Sequence, residues 1–213
     1  PVTFVISYFL FIKIMPFLTL DIPNERSLHE NPKYRGGGLV FILVSYLSIP
    51  FFKWYSLFIL IPLIIVGYLD DLFSLSPKIR YLVQILTVYL ILNFNLNLNS
   101  DNIFIYLLIL LAGTAIINFT NFVDGIDGLL ASNMIILFLH ISFLNQHNYL
   151  FPLIGGLLAF YYLNKSPSKI FMGDVGSTFL GAIFFMEIIK ISDYKLAFLS
   201  FAGSLPILSL IHI

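Results

Sequence analysis

Residues 118–128 concentrate polar side chains within an otherwise apolar part of the sequence. They include Asn118, Asn121, Asp124 and Asp127, with a glycine after each aspartate. Carboxylate and amide oxygens ligate hard divalent cations, and amides also bind phosphates or the edge of a nucleobase. The two aspartates are three residues apart, so they face one pocket if the turn is helical. The simpler alternative is an N-cap followed by an acid in the first turn of a helix.

A pair of adjacent acids, Asp70 and Asp71, directly follows an apolar run. Adjacent carboxylates repel each other and are costly near lipid, so a divalent cation or a cationic partner is expected to relieve them. A solvated helix end is one alternative. Ion pairs with the nearby Lys78 and Arg80 are another.

A third acidic motif places Asp174 between Gly173 and Gly176. Glycines let backbone N–H groups approach a phosphate, and a helix that begins near Ser177 provides an anion site at its N-terminus. Alternatively, this is a helix-entry turn in which Asp174 or Ser177 is the cap.

Residues 24–38 form a basic segment that ends in a glycine triplet, and its cationic candidates are Arg26, His29, Lys33 and Arg35. Arginine binds phosphate through two parallel hydrogen bonds. A basic segment beside a membrane also contacts anionic lipid headgroups, and both roles hold if the substrate is a lipid phosphate. The other histidines lie in or beside apolar runs and are assigned to packing: His140, His147 and His212.

Composition indicates an integral membrane protein. Of 213 residues, 59% are hydrophobic and 10% are charged, whereas ordinary globular chains have about 45–50% apolar and about 25% charged residues. The net charge is zero, which gives no reason to expect nucleic acid binding. Cysteine is absent from the sequence, which excludes disulfides and thiol catalysis.

The charged residues divide the chain into apolar runs, most of which fit one membrane-spanning helix of about 20 residues. Continuous apolar runs without strict alternation predict helices. We therefore predict an all-α, polytopic transmembrane helix bundle that forms a single domain over residues 1–213. About nine spans are expected, at 2–18, 37–52, 55–69, 81–97, 103–118, 129–144, 149–163, 178–191 and 196–213.

Alternate loops then lie on opposite sides of the membrane. The side that holds loops 19–36, 70–80, 119–128 and 164–177 carries seven of the lysines and arginines, so the positive-inside rule predicts that it is cytoplasmic. It also carries eight of the eleven acidic residues. This face offers acids for a metal ion, bases for phosphates and glycines for close approach. The combination favours transfer of a phosphate-linked group on this face.

Four motifs, in this order, carry a family resemblance: residues 23–29 with 35–38, the Asp70-Asp71 pair, residues 118–128 and residues 171–177. Together they resemble the polyprenyl-phosphate N-acetylhexosamine-1-phosphate transferases of glycosyltransferase family 4. Phospho-N-acetylmuramoyl-pentapeptide transferase belongs to this family. The Arg-Gly-Gly-Gly segment is more similar to the undecaprenyl-phosphate N-acetylglucosamine-1-phosphate transferase branch.

The resemblance implies a reaction. A UDP-sugar of the N-acetylhexosamine type donates its sugar-1-phosphate to undecaprenyl phosphate, and UMP leaves. The expected cofactor is Mg²⁺, with Mn²⁺ as its substitute. The product initiates synthesis of cell-wall or surface polysaccharide, including lipopolysaccharide. The implied location is the inner (plasma) membrane, with several spans in the lipid bilayer and the active site on the cytoplasmic face. The partners include no nucleic acid, and a homodimer is one expected assembly.

The resemblance also implies residue roles. The catalytic acids are Asp70, Asp71 and Asp124. The metal ligands are Asp174, Asn121 and Asp71. The contacts to nucleotide sugar and phosphate are Asn118, Asp127, Asn164, Phe171, Gly173, Arg26, His29 and Arg35. Asp70 and Asp71 either share the metal or deprotonate the lipid phosphate, and Asn121, Asp124 and Asp127 hold either nucleotide or metal. Phe171 is expected to stack on uracil.

The sequence departs from the family pattern near its end. The family usually has a further cytoplasmic loop with a histidine-rich motif and then another span, so we expect a fragment that lacks them. His212 is not equated with that motif. Two alternatives to this family remain: a non-enzymatic transporter with a cytoplasmic site for a cation or phosphate, and a CDP-alcohol phosphotransferase. The Ala-Arg that follows the first Asp-Gly in the latter class is missing after Gly125.

Overall fold

The protein is described by a computed structural model that covers residues 2–23, 31–95, 103–145 and 147–191. This part of the chain is almost entirely helical, which confirms the predicted all-α class. Its α-helices are α1 (Val2–Ile14), α2 (Gly38–Leu47), α3 (Ile49–Phe52), α4 (Ile61–Phe73), α5 (Pro77–Asn95), α6 (Ile103–Val123), α7 (Leu129–Asn145), α8 (Phe151–Asn164) and α9 (Gly173–Ile188). Short 3₁₀ turns precede α4 and α8.

Prolines mark the starts of several helices. Pro50, Pro62 and Pro152 occupy the first turns of α3, α4 and α8. Proline is tolerated there because the first N–H groups of a helix have no intrahelical partner. At its other end, α4 stops at Ser74, which is left-handed with φ of 51°. This turn directs the chain into α5 and leaves Asp70 and Asp71 in the last turns of α4.

The central element is α9, which is buried along nearly its whole length. It packs mainly against α4 and α6, while α8 packs against α1, α2 and α7 on the other side of the bundle. At the α4–α9 contact a Cβ on Gly67 would lie 2.7 Å from the Cα of Val175. The missing side chain lets the two backbones approach, as small residues do in membrane helix pairs.

A two-stranded sheet, which was not predicted, lies before α2. Its strands are β1 (Thr19–Asp21) and β2 (Lys33–Arg35), which pair antiparallel with Thr19 opposite Arg35. Tyr34 forms a parallel bridge with Ile170. The main chain of residues 37 and 38 then donates to the carbonyls of residues 171 and 172 at 2.9 Å each. Residues 34–38 are therefore fixed to the polypeptide that leads into α9.

The number of membrane spans is not confirmed. In the described residues, two helical segments are long and apolar enough to cross a membrane, Tyr55–Phe73 and Ile103–Val123. Other apolar helices are shorter, among them Val2–Phe17, Gly38–Leu47 and Leu129–Leu144. A ten-residue helix such as α2 rises about 15 Å, against a hydrocarbon core of about 30 Å. The predicted span 196–213 lies outside the described residues.

Apolar side chains cover much of the outer surface of the two long segments. On α6, Leu108 is 68% exposed and Phe122 is 73% exposed. An apolar surface of this extent is unusual in a soluble monomer and fits contact with lipid.

A buried acid lies near the end of α9 that is opposite its glycine-rich start. The Glu187 side chain is fully buried and accepts from Lys190 Nζ at 2.7 Å and from the Tyr149 hydroxyl at 2.8 Å. His147 Nδ1 lies 2.9 Å from the same carboxylate. The Trp54 ring packs on Tyr149, with 4.8 Å between ring centroids. These contacts agree with the packing role predicted for His147.

Candidate active site

The C-terminal end of α4, the start of α5, strand β2 and the start of α9 meet at one end of the bundle. The sequence predicted that these segments share a face, and the structure brings their charged residues together. Three carboxylates, those of Asp70, Asp71 and Asp174, alternate with the guanidinium groups of Arg35 and Arg80.

Asp71 caps α9. Its carboxylate accepts hydrogen bonds from the main-chain nitrogens of Asp174 at 2.8 Å and Val175 at 3.2 Å. Arg35 Nε donates to the same carboxylate at 2.9 Å. The side chain is only 2% exposed. A carboxylate at a helix N-terminus satisfies N–H groups that lack an intrahelical partner and favourably meets the helix dipole. The expected local cap, Asp174 or Ser177, is thus replaced by a residue from α4.

Gly173 makes this cap sterically feasible. Its φ is +79°, a conformation that residues with a side chain rarely adopt, and an added Cβ would collide with the Asp71 carboxylate. The sequence predicted a close approach at Gly173, and in the structure the group that approaches it is the Asp71 carboxylate.

Asp70 and Asp174 share a cation. Arg80 Nη1 lies 3.0 Å from Asp70 Oδ2 and 3.4 Å from Asp174 Oδ2, and Arg35 Nη2 lies 3.6 Å from Asp174 Oδ1. Asp70 also accepts from the main chain of Leu75 at 2.6 Å. The Asp174 side chain is 19% exposed, against 4% for Asp70. Asp174 is thus the most accessible of the three carboxylates.

Beside this cluster lies a cavity of about 440 Å³ between α4, α5, α6 and α9. One part of its wall is polar and is formed by Asp70, Arg80, Gln84, Asn118, Asn121 and Asp174. The apolar part includes Leu63, Val66 and Tyr81. The cavity can therefore receive a ligand that has a charged head and an apolar body.

The two asparagines of the 118–128 segment have different contacts. Asn121 accepts a hydrogen bond from the Ser177 hydroxyl at 2.5 Å. An amide oxygen has two lone pairs, so this contact leaves one lone pair, as well as the amide nitrogen, for a ligand. Asn118 donates to the Gln84 side chain at 2.6 Å and to the Thr114 carbonyl at 3.1 Å.

Asp124 follows the end of α6 and is half-buried. Burial raises the pKa of its carboxyl well above the usual range, and the charges of Asp174 and Asp71 raise this pKa further. No described residue donates a hydrogen bond to its side chain. A nearby cation would relieve this unfavourable environment.

In the described residues, no group of three or more acidic, histidine or cysteine side chains is close enough to hold a metal ion as arranged. The donor chemistry still fits a hard divalent cation, because the Asp174 carboxylate is partly exposed and the Asp124 carboxylate receives no hydrogen bond from a described residue. The guanidinium groups of Arg35 and Arg80 supply the positive charge near Asp174 in this arrangement.

A second polar cluster joins β2 to the turn after α6. Lys33 Nζ donates to the Ser168 hydroxyl at 2.6 Å and lies 3.4 Å from Asp127 Oδ2. Asp127 also accepts from the hydroxyl and main chain of Ser168 at 2.7 and 3.2 Å. Lys33 Nζ is 4.8 Å from the centroid of the Phe171 ring. Asp127 therefore positions both the segment that carries Lys33 and the loop that carries Ser168. The Phe171 ring lies beneath the Lys33 ammonium group in the same cluster.

Asn164 also connects these loops. It is 5% exposed, accepts from the main chain of Gly128 at 2.9 Å and donates to the Ile170 carbonyl at 2.8 Å. Both functional groups of its amide are engaged with backbone.

Strand β2 places two cations toward neighbouring clusters. Lys33 and Arg35 are two residues apart, so they extend from the same face of the strand. One reaches Asp127 and the other reaches Asp71 and Asp174. Sequence reasoning did not predict this because it assigned no strand here. The predicted site residues Arg26 and His29 lie outside the described residues.

Comparison with known proteins decides the family. The profile of glycosyl transferase family 4 matches residues 53–192. The chain belongs to glycosyl transferase family 4. The matched part contains α4–α9 and all the acidic residues of the site, whereas β2 with Lys33 and Arg35 precedes it.

Several members of the family resemble the chain. It is 34% identical to "Phospho-N-acetylmuramoyl-pentapeptide-transferase" of Leuconostoc citreum over 55% of this chain and 42% of that protein. The protein of that name from Listeria monocytogenes is 30% identical over 84% of this chain and 70% of its own length. "Probable undecaprenyl-phosphate N-acetylglucosaminyl 1-phosphate transferase" of Bacillus subtilis is 27% identical over 84% and 60%. The chain spans about half the length of the first family members that it matches.

Proposed function

We propose that the protein transfers a sugar-1-phosphate of the N-acetylhexosamine type from a UDP-sugar to undecaprenyl phosphate in cell-wall or surface polysaccharide synthesis. Family membership and the names of the relatives support a phospho-sugar transferase with a polyprenyl-phosphate acceptor. The observation that carries the proposal is the position of Arg80 between Asp70 and Asp174, beside a cavity with an apolar wall.

The reaction is a phosphoryl substitution. An oxygen of the acceptor phosphate attacks the β-phosphorus of the UDP-sugar, and the bond from that phosphorus to the oxygen bridging the α- and β-phosphates breaks. The products are a lipid diphosphate sugar and UMP, which takes the bonding electrons on its terminal phosphate oxygen. Such a reaction needs positive charge around the equatorial oxygens of the transferred phosphoryl group.

Arg35 and Arg80 supply that charge from the protein. Each guanidinium already lies within 4 Å of the Asp174 carboxylate, so both can contact a diphosphate bound there. Asp70 holds Arg80, and Asp71 holds Arg35 and the start of α9. We therefore assign Asp71 a positioning role in place of direct metal ligation. Asp174 and Asp124 would hold Mg²⁺, which when bound supplies a Lewis acid that neutralises the diphosphate.

The nucleotide is assigned to the second cluster. The family resemblance assigns uracil to Phe171, and the Lys33 ammonium group 4.8 Å from the ring centroid places a cation at the same position. Asp127 and Asn164 fix the loops that carry these groups.

The experiment is turnover by the purified full-length protein with undecaprenyl phosphate, Mg²⁺ and a panel of UDP-N-acetylhexosamines. We expect UMP release and a lipid-linked diphosphate sugar with at least one donor. No UMP from any donor, combined with ion flux in liposomes, would reject the proposal in favour of the transporter alternative. Asp174→Asn should abolish turnover in a protein that remains folded.

A further inference from the structure

Gln84 is a polar side chain in the interior of α5 that the proposed chemistry has not used. It is 3% exposed and lines the cavity next to Asp70 and Asp174. A buried amide in an apolar helix is unfavourable unless its groups are hydrogen-bonded. Its oxygen accepts from Asn118, but its nitrogen donates to no residue in the described part of the chain.

A chain of hydrogen bonds fixes the orientation of this amide. The Thr114 carbonyl is only an acceptor, so the Asn118 atom 3.1 Å away is the amide nitrogen. The same nitrogen lies 2.6 Å from Gln84, so the Gln84 atom that it meets is the oxygen. The remaining Gln84 atom is therefore Nε2, which carries two hydrogens. The assignment depends on a backbone carbonyl and is not a free choice between two amide orientations.

The surroundings of Gln84 indicate what this donor binds. Arg80 lies four residues earlier on the same helix, hence on the same face. Leu63 and Val66 from α4 provide an apolar wall to the same cavity. An amide donor and a guanidinium beside an apolar wall complement a phosphate monoester that is attached to a hydrocarbon chain.

The geometry points to Gln84 as a contact for the phosphate of the lipid acceptor: its Nε2, oriented by Asn118, donates to a phosphate oxygen and positions that group beside Asp174. This inference rests on the proposed function for the identity of the acceptor. The β-phosphate of the UDP-sugar presents the same chemistry. The apolar wall favours the acceptor, and the experiment separates the two sources.

The test compares Gln84→Glu with wild type in full-length protein in nanodiscs. Glutamate still accepts from Asn118 but loses the donor and adds a negative charge. Since a hydrogen bond to a charged group contributes about 1.5–3 kcal/mol, we expect the KM for undecaprenyl phosphate to rise at least about tenfold. The KM for the UDP-sugar should change less than about twofold. Direct binding should show the same loss for undecaprenyl phosphate but no change for undecaprenol, which lacks the phosphate.

Two further variants keep the result interpretable. Gln84→Met removes the donor without adding a charge, so it should cause a smaller loss of acceptor affinity. This variant provides the test if Gln84→Glu does not fold. Asn93→Asp makes the same amide-to-acid change on α5 outside the cavity, and it should leave both KM values unchanged.

Unchanged acceptor affinity in folded Gln84→Glu and Gln84→Met would overturn the inference, and so would a rise confined to the KM for the UDP-sugar. The proposed function can fail separately. If wild-type protein transfers no sugar but binds undecaprenyl phosphate, and Gln84→Glu weakens that binding, the transferase proposal falls while the phosphate contact stands.

Discussion

The Asp71 carboxylate is 2.8 Å from the main-chain nitrogen of Asp174, a residue 103 positions later in the chain. One acid of the site thus holds the backbone of another. Asp71 contacts Arg35 as well, so it sets the position of a cation and of the most accessible carboxylate at once. The two acids are therefore expected to respond differently to substitution.

Asp71→Asn is predicted to reduce both stability and turnover. The amide retains one acceptor oxygen, but its NH₂ group cannot accept from the start of α9 or from Arg35. Loss of a helix cap costs about 1–2 kcal/mol of unfolding free energy. Asp174→Asn, in contrast, should abolish UMP release while the melting temperature changes little, because its carboxylate is partly exposed and its cationic partners are partly exposed arginines. Thermal unfolding in detergent and UMP release measure the two effects. Equal melting temperatures for Asp71→Asn and wild type would contradict the capping role.

Gly67→Ala is predicted to separate α4 from α9. The added Cβ would lie 2.7 Å from Val175 Cα and 3.0 Å from Val175 N, and neither backbone atom can move independently. Overpacking of this kind costs about 1–3 kcal/mol. The shift should also displace Asp70 and Asp71 from Asp174 and lower kcat.

The matched control for this change is Gly125→Ala. A Cβ there meets nothing closer than the Phe122 carbonyl oxygen at 3.8 Å. Its melting temperature should therefore stay near that of wild type. A destabilisation as large as that of Gly67→Ala would show that the α4–α9 contact is not the cause.

Arg80→Gln is predicted to lower kcat by more than about tenfold, since a cation that meets phosphate in the transition state contributes several kcal/mol. Asp70 and Asp174 would lose their shared cation as well. Because the Arg80 side chain is 36% exposed, the effect on stability should be small. Steady-state kinetics and thermal unfolding of the same preparation provide the measurement. Lys165→Gln, a change at a cation outside both clusters, serves as the control for charge and should retain wild-type kcat.

Glu187→Gln is predicted to destabilise the protein without changing the turnover of the folded fraction. The neutral amide would leave Lys190 and the Tyr149 hydroxyl without their acidic partner in a fully buried position. Breaking a buried ion pair costs about 3–5 kcal/mol when one charge remains, but the Lys190 side chain is 21% exposed, so a smaller loss is expected here. Lys190→Met with Glu187→Gln should recover part of that loss, because the double variant leaves no unpaired charge at this position. If either variant lowered the kcat of fully folded protein, this prediction would be wrong, and the two ends of α9 would have to be coupled.

The sequence predicted the grouping of the charged residues better than their individual contacts. Apolar runs and alternating loops were sufficient to bring Asp70, Asp71, Arg35 and Asp174 to one end, because two successive spans return the chain to the same side. They could not predict the cap at α9, which depends on how closely Gly67 allows α4 to approach. Gln84 was not assigned to the site, since a lone amide in an apolar run carries no specific pattern.

The strand pairing was missed for a different reason. β1 and β2 have only three residues each, and the bridge from Tyr34 to Ile170 joins residues 136 positions apart in the chain. A three-residue segment shows too little alternation to reveal period two. The span count stays unconfirmed. The charged residues separated the apolar runs, but they did not show that the run 37–52 divides at Ser48 into α2 and α3.

Both ends of α9 are anchored by buried carboxylates, Asp71 at its start and Glu187 near its finish. Asp174 and Glu187 are thirteen residues apart, which is about 20 Å along a helix axis. With both termini attached to other helices, α9 cannot slide or turn about its own axis without breaking one of these attachments. Because Asp71 belongs to α4, α4 and α9 are expected to move as one unit, and any displacement of α9 would carry Asp174 together with Asp70 and Asp71.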